Sequence, residues 1–196
     1  MKKFFVALIS FFALIVITSC NSPLSEKSYR ENGLKSGFES DVKISLDKLN
    51  VTGRVKRLAE NTWEAEFSEP SSLSGVRLEF SEGNVKASYK GLDFSVPQSA
   101  LPVKSMMLNL ISAVEENALK DELNGTEKDG RLEISGTLDS GDYILTVDRE
   151  GKISTFAMDN NKLFIAFSEV KEIQSLPQGT EIQSLPQETE TRPFSS

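Results

Sequence analysis

Trp63-Glu64-Ala65-Glu66-Phe67-Ser68 alternates apolar and polar side chains without a break. A period of two puts Trp63, Ala65 and Phe67 on one face of an extended chain and Glu64, Glu66 and Ser68 on the other. The same period recurs on both sides of this stretch. Upstream, Val42, Ile44 and Leu46 alternate with Lys43, Ser45 and Asp47, and Val51, Gly53 and Val55 alternate with Thr52, Arg54 and Lys56. Downstream come Val76-Leu78-Phe80, Val85-Ala87-Tyr89 and Leu92-Phe94-Val96, each interleaved with polar residues. One apolar face per strand is the mark of a half-buried antiparallel sheet. Turn chemistry separates the strands at Glu60-Asn61, Glu69-Pro70-Ser71-Ser72, Glu82-Gly83-Asn84 and Lys90-Gly91.

The period then lengthens. Pro97 stops the strand pattern, and Pro102 suits the first turn of a helix. Val103, Met107, Leu110, Val114 and Ala118 recur at helical spacing, with Met106, Ile111 and Leu119 widening the stripe and Glu115, Glu116 and Lys120 read as lying off it. This predicts one amphipathic helix over Leu101 to Glu122, ended by Asn124-Gly125. Strands resume at Leu132-Ile134-Gly136-Leu138, Tyr143-Leu145-Val147, Ile153 to Met158 and Leu163 to Phe167. The turns between the last three are Asp148-Arg149-Glu150-Gly151 and Asp159-Asn160-Asn161. The Asp159 loop lacks the spacing and the bidentate glutamate of a calcium loop.

About ten strands carry apolar side chains on one face. Strands about 4.8 Å apart make a flat sheet ~45 Å wide, whereas a helix is only ~10 Å across. The sheet must curl around its helices or close on itself. The expected fold is mainly β (α+β): a strongly curved antiparallel sheet with the long helix in its concavity and a short N-terminal helix near Leu24 to Lys35. The expected core domain is 38–170.

The two chain ends are of different character. Lys2-Lys3, an apolar run from Phe4 to Ile17 and the small residues Thr18 and Ser19 lead into Cys20, the one cysteine. This is the layout of a secretory signal, too short for a membrane span. Ile17-Thr18-Ser19-Cys20 resembles the lipobox of bacterial lipoproteins. That resemblance implies removal of 1–19, a diacylglyceryl thioether on Cys20, and a tether over 20–37. It places the protein on the outer face of the cell membrane, or on an outer membrane where one exists. At the other end, Glu172 to Thr180 (EIQSLPQGT) is repeated by Glu181 to Thr189 (EIQSLPQET). A tail over 171–196 rich in Gln, Ser, Pro, Thr and Glu is expected to be disordered.

Composition removes whole classes of chemistry. The chain has no histidine and a formal charge of −7. With one cysteine it has no disulfide, no His or Cys metal site, and no Ser-His or Cys-His nucleophile. Its acidity argues against nucleic acid and against a peripheral electrostatic grip on anionic lipid, so that acyl chains must hold it at a membrane. Asp142 and Asp148 flank one strand, too far apart to act as a catalytic pair. No enzyme activity and no cofactor are expected.

The run Trp63 to Val76, with a Trp strand leading into Pro70 and then Leu73-Ser74-Gly75, resembles a pattern in lipoproteins of Gram-positive anaerobes. Tyr89-Lys90-Gly91-Leu92, Ala100-Leu101-Pro102 and Gly141 to Asp148 continue the likeness. Those proteins look like remote relatives of the outer-membrane lipoprotein carriers and receptors, the Lol superfamily. The resemblance spans roughly 41–170. It implies a curved antiparallel sheet with helices as a lid over an apolar cavity that receives acyl chains.

Two functional readings stay open. In the first, a non-enzymatic lipoprotein binds a lipid or acyl chain between sheet and helix. Met106, Met107, Leu110 and Ile111 then face a groove, with Trp63, Phe80, Tyr89 and Phe94 opposite. Methionines suit such a soft lining and are also ordinary core fillers. In the second, the core is solid and the polar sheet face meets an envelope protein.

Overall fold

A computed structural model describes residues 27–81, 83–90, 92–97 and 102–174. Cys20, the signal segment, Leu101 and the tail beyond Gln174 lie outside the described residues. Among those described there are twelve strands and one long helix. The strands are β1 (Lys27–Glu31), β2 (Gly37–Leu46), β3 (Leu49–Ala59), β4 (Thr62–Glu69), β5 (Val76–Ser81), β6 (Asn84–Tyr89) and β7 (Leu92–Pro97), followed by β8 (Glu122–Lys128), β9 (Arg131–Leu138), β10 (Gly141–Val147), β11 (Ile153–Met158) and β12 (Leu163–Ile173). The helix, α1, is Pro102–Ala118, between β7 and β8. No described helix is long and apolar enough to cross a membrane.

All twelve strands form one antiparallel sheet in the order β1-β8-β9-β10-β11-β12-β2-β3-β4-β5-β6-β7. The expected period is borne out in β2 to β6, β9 and β10. Trp63, Ala65 and Phe67 are buried, and register places Trp63 opposite Phe80 and Ala65 opposite Leu78. Phe80 pairs in turn with Val85, and Leu78 with Ala87. These residues, with Val42, Ile44, Val51, Leu132, Ile134, Leu145, Phe156 and Ile165, join the helix residues Met107, Leu110 and Val114 in one buried cluster. Mainly β with one helix on the apolar face is therefore correct.

The expectation of a strongly curved sheet of about ten strands is corrected to an open sheet of twelve. Among the described residues the sheet does not close, because β1 and β7 are its outermost strands and do not pair with each other. The two extra strands, β1 and β8, are each other's neighbours: Tyr29 pairs with Asn124 and Arg30 with Leu123. Both lack an apolar alternation. β1 reads KSYRE, and β8 reads ELNGTEK with Leu123 as its one buried side chain. Residues 27–31, expected in the short N-terminal helix, are thus an edge strand. An edge strand rich in charge is a usual way to discourage pairing with other chains. Asn124-Gly125, expected as a helix stop, lies inside β8. A Cβ at Gly125 would collide with the Glu133 carbonyl of β9, so the glycine serves close strand approach rather than a turn.

The helix is also shorter than expected. Asn32 ends it from outside: its side-chain amide donates to the carbonyls of Asn117 (2.8 Å) and Lys120 (2.7 Å), satisfying acceptors that the last helical turn leaves open. Leu119, expected on the apolar stripe, consequently falls past the helix and is 74% exposed, whereas Leu123 is fully buried. Leu119→Ser should change stability by less than about 0.5 kcal/mol, and Leu123→Ala should cost about 3 kcal/mol. Urea unfolding of the two variants checks both. At the other end of the chain β12 runs on to Ile173, so the first Glu172-Ile173 of the repeat pairs with Phe38 and Gly37 of β2.

Candidate functional site

The side chains that fix α1 to the sheet are polar and gathered toward its C-terminal end. Arg57 of β3 is in phase with Val51, Gly53 and Val55 and pairs across the ladder with Trp63. It therefore points to the apolar face, where its side chain is 5% exposed. Glu115 of α1 meets it there. Arg57 donates Nε to Glu115 Oε1 (3.0 Å) and Nη2 to Oε2 (2.7 Å), a two-pronged charge-assisted pair. Trp63 Nε1 donates to the same Oε1 at 2.7 Å, and Arg57 Nη1 donates to the Lys35 carbonyl at 2.9 Å. Phe38 stands edge-on to Trp63, with ring centroids 5.5 Å apart. Among the described residues no buried side-chain nitrogen or oxygen lacks a partner.

Two residues further on, Asn117 is fully buried. Its amide donates to the Ala113 carbonyl (2.8 Å) and to the Tyr143 hydroxyl of β10 (2.9 Å), and Lys120 Nζ donates to its side-chain oxygen (2.8 Å). Tyr143 reaches this position because its ring lies over Gly136 of β9, where any Cβ would occupy the ring's place. Burial pushes the Tyr143 hydroxyl above its ordinary value. The Asn117 bond offsets part of that rise, and Glu116 adds to it. A raised folded-state pKa leaves stability intact below the free tyrosine value of about 10. Stability is then lost as pH rises, because the unfolded chain ionises first. Thermal unfolding between pH 8 and pH 11 (roughly the span around that value) should show a fall above pH 10 that Tyr143→Phe reduces.

Upstream of Glu115, the one side-chain hydrogen bond of a described helix residue is exposed: Ser140 Oγ donates to Asn109 Oδ1 at 2.8 Å. Otherwise that half of α1 brings apolar side chains. Met106, Met107, Leu110 and Ile111 are all buried, as are Trp63 and Phe80 on the sheet side, so six of the eight expected groove residues share one cluster. Tyr89 lies on the same face, opposite Val76, but is 38% exposed at the strand end. Phe94 is in register with Ala87 on that face, and its side chain lies outside the described residues. Sequence reasoning missed Arg57, Glu115, Asn117 and Tyr143 as a set. Glu115 was placed off the stripe, yet it is four residues after Ile111 and belongs to the stripe's own phase.

The opposite face is polar over β2 to β6. Asp41 and Arg54 (2.8 Å) line a cleft of about 500 Å³ there with Lys43, Thr52, Glu66 and Ser68. Asp142 accepts from Thr137 (2.7 Å), and Asp148 accepts from the backbone N–H groups of Glu150 and Lys152. Each carboxylate is thus engaged locally, at opposite ends of β10.

No family model matches the chain, and no curated protein matches it. Several solved structures are similar to it. An uncharacterized conserved protein from Thermus thermophilus has 14% identity over 79% of this chain and 88% of that one, with a TM-score of 0.47. A LolA superfamily protein from Nitrosomonas europaea has 9% identity, coverage of 74% and 90%, and a TM-score of 0.37. A putative outer membrane lipoprotein-sorting protein domain from Vibrio parahaemolyticus has 8% identity, coverage of 75% and 89%, and a TM-score of 0.38.

Proposed function

We propose that this protein is a non-enzymatic lipoprotein, tethered through a lipid on Cys20, that takes a lipid or acyl chain between the sheet and α1. The observation that carries this reading is the uneven attachment of the helix. Its polar anchors are at Glu115, Asn117 and the carbonyls that Asn32 holds. Ahead of them, Met106, Met107 and Leu110 rest on an apolar surface that needs no defined partner. A helix pinned at one end and greased along the rest can lift from the sheet while keeping its register. Methionine side chains adapt to what replaces the sheet contact. The ligand is chemically an alkyl chain, because the apolar cluster offers it dispersion and burial and no reactive group.

Native mass spectrometry tests this on the chain from Asn21 onward, which carries every described strand, the helix and the whole buried cluster. The expected result is a fraction of molecules with a lipid mass that is lost on denaturation. Trp63 is the one tryptophan of the chain and sits at the sheet–helix contact, so added long-chain fatty acid should also change its emission. A domain of bare polypeptide mass whose emission ignores fatty acid would overturn the reading.

A second reading, display to an envelope protein, draws on the far face of the sheet. There Ile144 (41% exposed) and Phe164 (46% exposed) flank Ala157 in a row of direct strand partners with no charge among them. Cross-linking from that row in cells would identify such a partner.

A further inference from the structure

We infer that the end of the sheet where β3 starts, β6 ends and β7 starts docks on an anionic lipid surface, independently of the covalent lipid. Strand alternation places the turns at Asp47-Lys48, at residues 70–75 and at Lys90 together at this end. Register puts Leu49 opposite Leu46, and Tyr89 opposite both Val76 and Leu92, all on the helix-bearing face. Leu49 is 37% exposed, Tyr89 38% and Leu92 72%. Among the described residues, three of the seven exposed large apolar side chains therefore lie on one face at one end. The other end of β3 and β4 is sealed by Arg57, Trp63 and Glu115.

The charges beside this rim favour a bilayer over another protein of this acidic kind. Lys48 and Lys90 are exposed, and neither forms an ion pair with a described residue. Lys90 Nζ lies 5.0 Å from the Tyr89 ring centroid. Of the acids nearby, Asp47 is neutralised by Lys162 (2.9 Å) and Asp93 by Lys86 (3.6 Å), while Glu69 is turned to Thr52 (3.3 Å). The turn over 70–75, Pro-Ser-Ser-Leu-Ser-Gly, is uncharged, and its Leu73 packs back on the core. In a chain of charge −7, two lysines with no ion pair to a described residue thus border a leucine–tyrosine rim. Apolar side chains that enter the headgroup boundary, with lysines against anionic lipid, are the chemistry of interfacial binding. The amphipathic tyrosine belongs at the same level.

Flotation of the chain from Asn21 onward with vesicles of phosphatidylcholine, with and without phosphatidylglycerol, tests this. The expected result is binding that phosphatidylglycerol strengthens and that Leu92→Asp weakens about tenfold. Lys48→Gln with Lys90→Gln should remove the phosphatidylglycerol preference. Ile144→Asp, equally an apolar-to-acid change but on the opposite face, should leave binding unaltered. Unchanged Trp63 emission in Leu92→Asp certifies its fold. No flotation on either vesicle, or equal loss in Ile144→Asp, overturns the inference. Its failure is separable from that of the ligand reading, since lipid carried in the core is read by mass and vesicle docking by flotation.

Discussion

Glu115→Ala is expected to destabilise the protein by about 3–5 kcal/mol, because it leaves Arg57 charged, buried and without its counter-ion. The side chains of the pair are 5% and 10% exposed, so water does not replace the lost carboxylate without disturbing the helix contact. Trp63 Nε1 loses its acceptor in the same variant. Replacing both charges, as in Arg57→Met with Glu115→Leu, should restore most of the loss, since a well-packed apolar pair avoids the desolvation of two ions. Urea unfolding followed by circular dichroism measures both. A Glu115→Ala variant within about 1 kcal/mol of the parent would show that the pair is solvated in solution, contrary to its burial. The ion pair then has a role distinct from stability: it defines where along β3 and β4 the helix is held.

Trp63→Ala should cost a similar amount, about 3–5 kcal/mol, by opening a cavity in the core. The indole is fully buried, stands edge-on to Phe38, and donates to Glu115. Trp63→Phe separates these contributions. It keeps the aromatic edge and most of the volume but leaves Glu115 Oε1 with Arg57 Nε as its remaining donor. A loss of about 1–2 kcal/mol is expected for it. Equal losses in the two variants would assign the effect to the hydrogen bond. Trp63 and Arg57 share one carboxylate oxygen, so their substitutions should be non-additive in a double-mutant cycle.

Much of the sheet was legible because alternation is written into each strand separately. Trp63-Ala65-Phe67 and Leu132-Ile134 announce their buried face with no knowledge of any partner. β1 and β8 were illegible for the converse reason. Lys27 to Glu31 has no apolar face of its own and becomes a strand only because β8 offers it a ladder. Asn124-Gly125 carries turn chemistry, and that local preference was overridden by strand pairing. The buried residues Met106, Met107, Leu110, Ile111, Trp63 and Phe80 were legible as an apolar set through their periods. The polar anchors were not, because a charge on a periodic stripe reads as solvent-facing until an opposite charge is known to meet it.

The sequence by itself determined which residues of most strands turn inward, where the chain changes from a period of two to a helical one, and which catalytic and metal chemistries its composition excludes. Those are properties of local geometry and of residue type. Only the tertiary structure decided that Arg57 and Glu115, 58 positions apart, are buried against each other. It likewise decided that Asn32 ends the helix and that Leu49, Tyr89 and Leu92 share one exposed rim. The reason is physical: burial of a charge is favourable only with its partner in place, and that partner is brought by the docking of a helix on a sheet rather than by any neighbour in the chain.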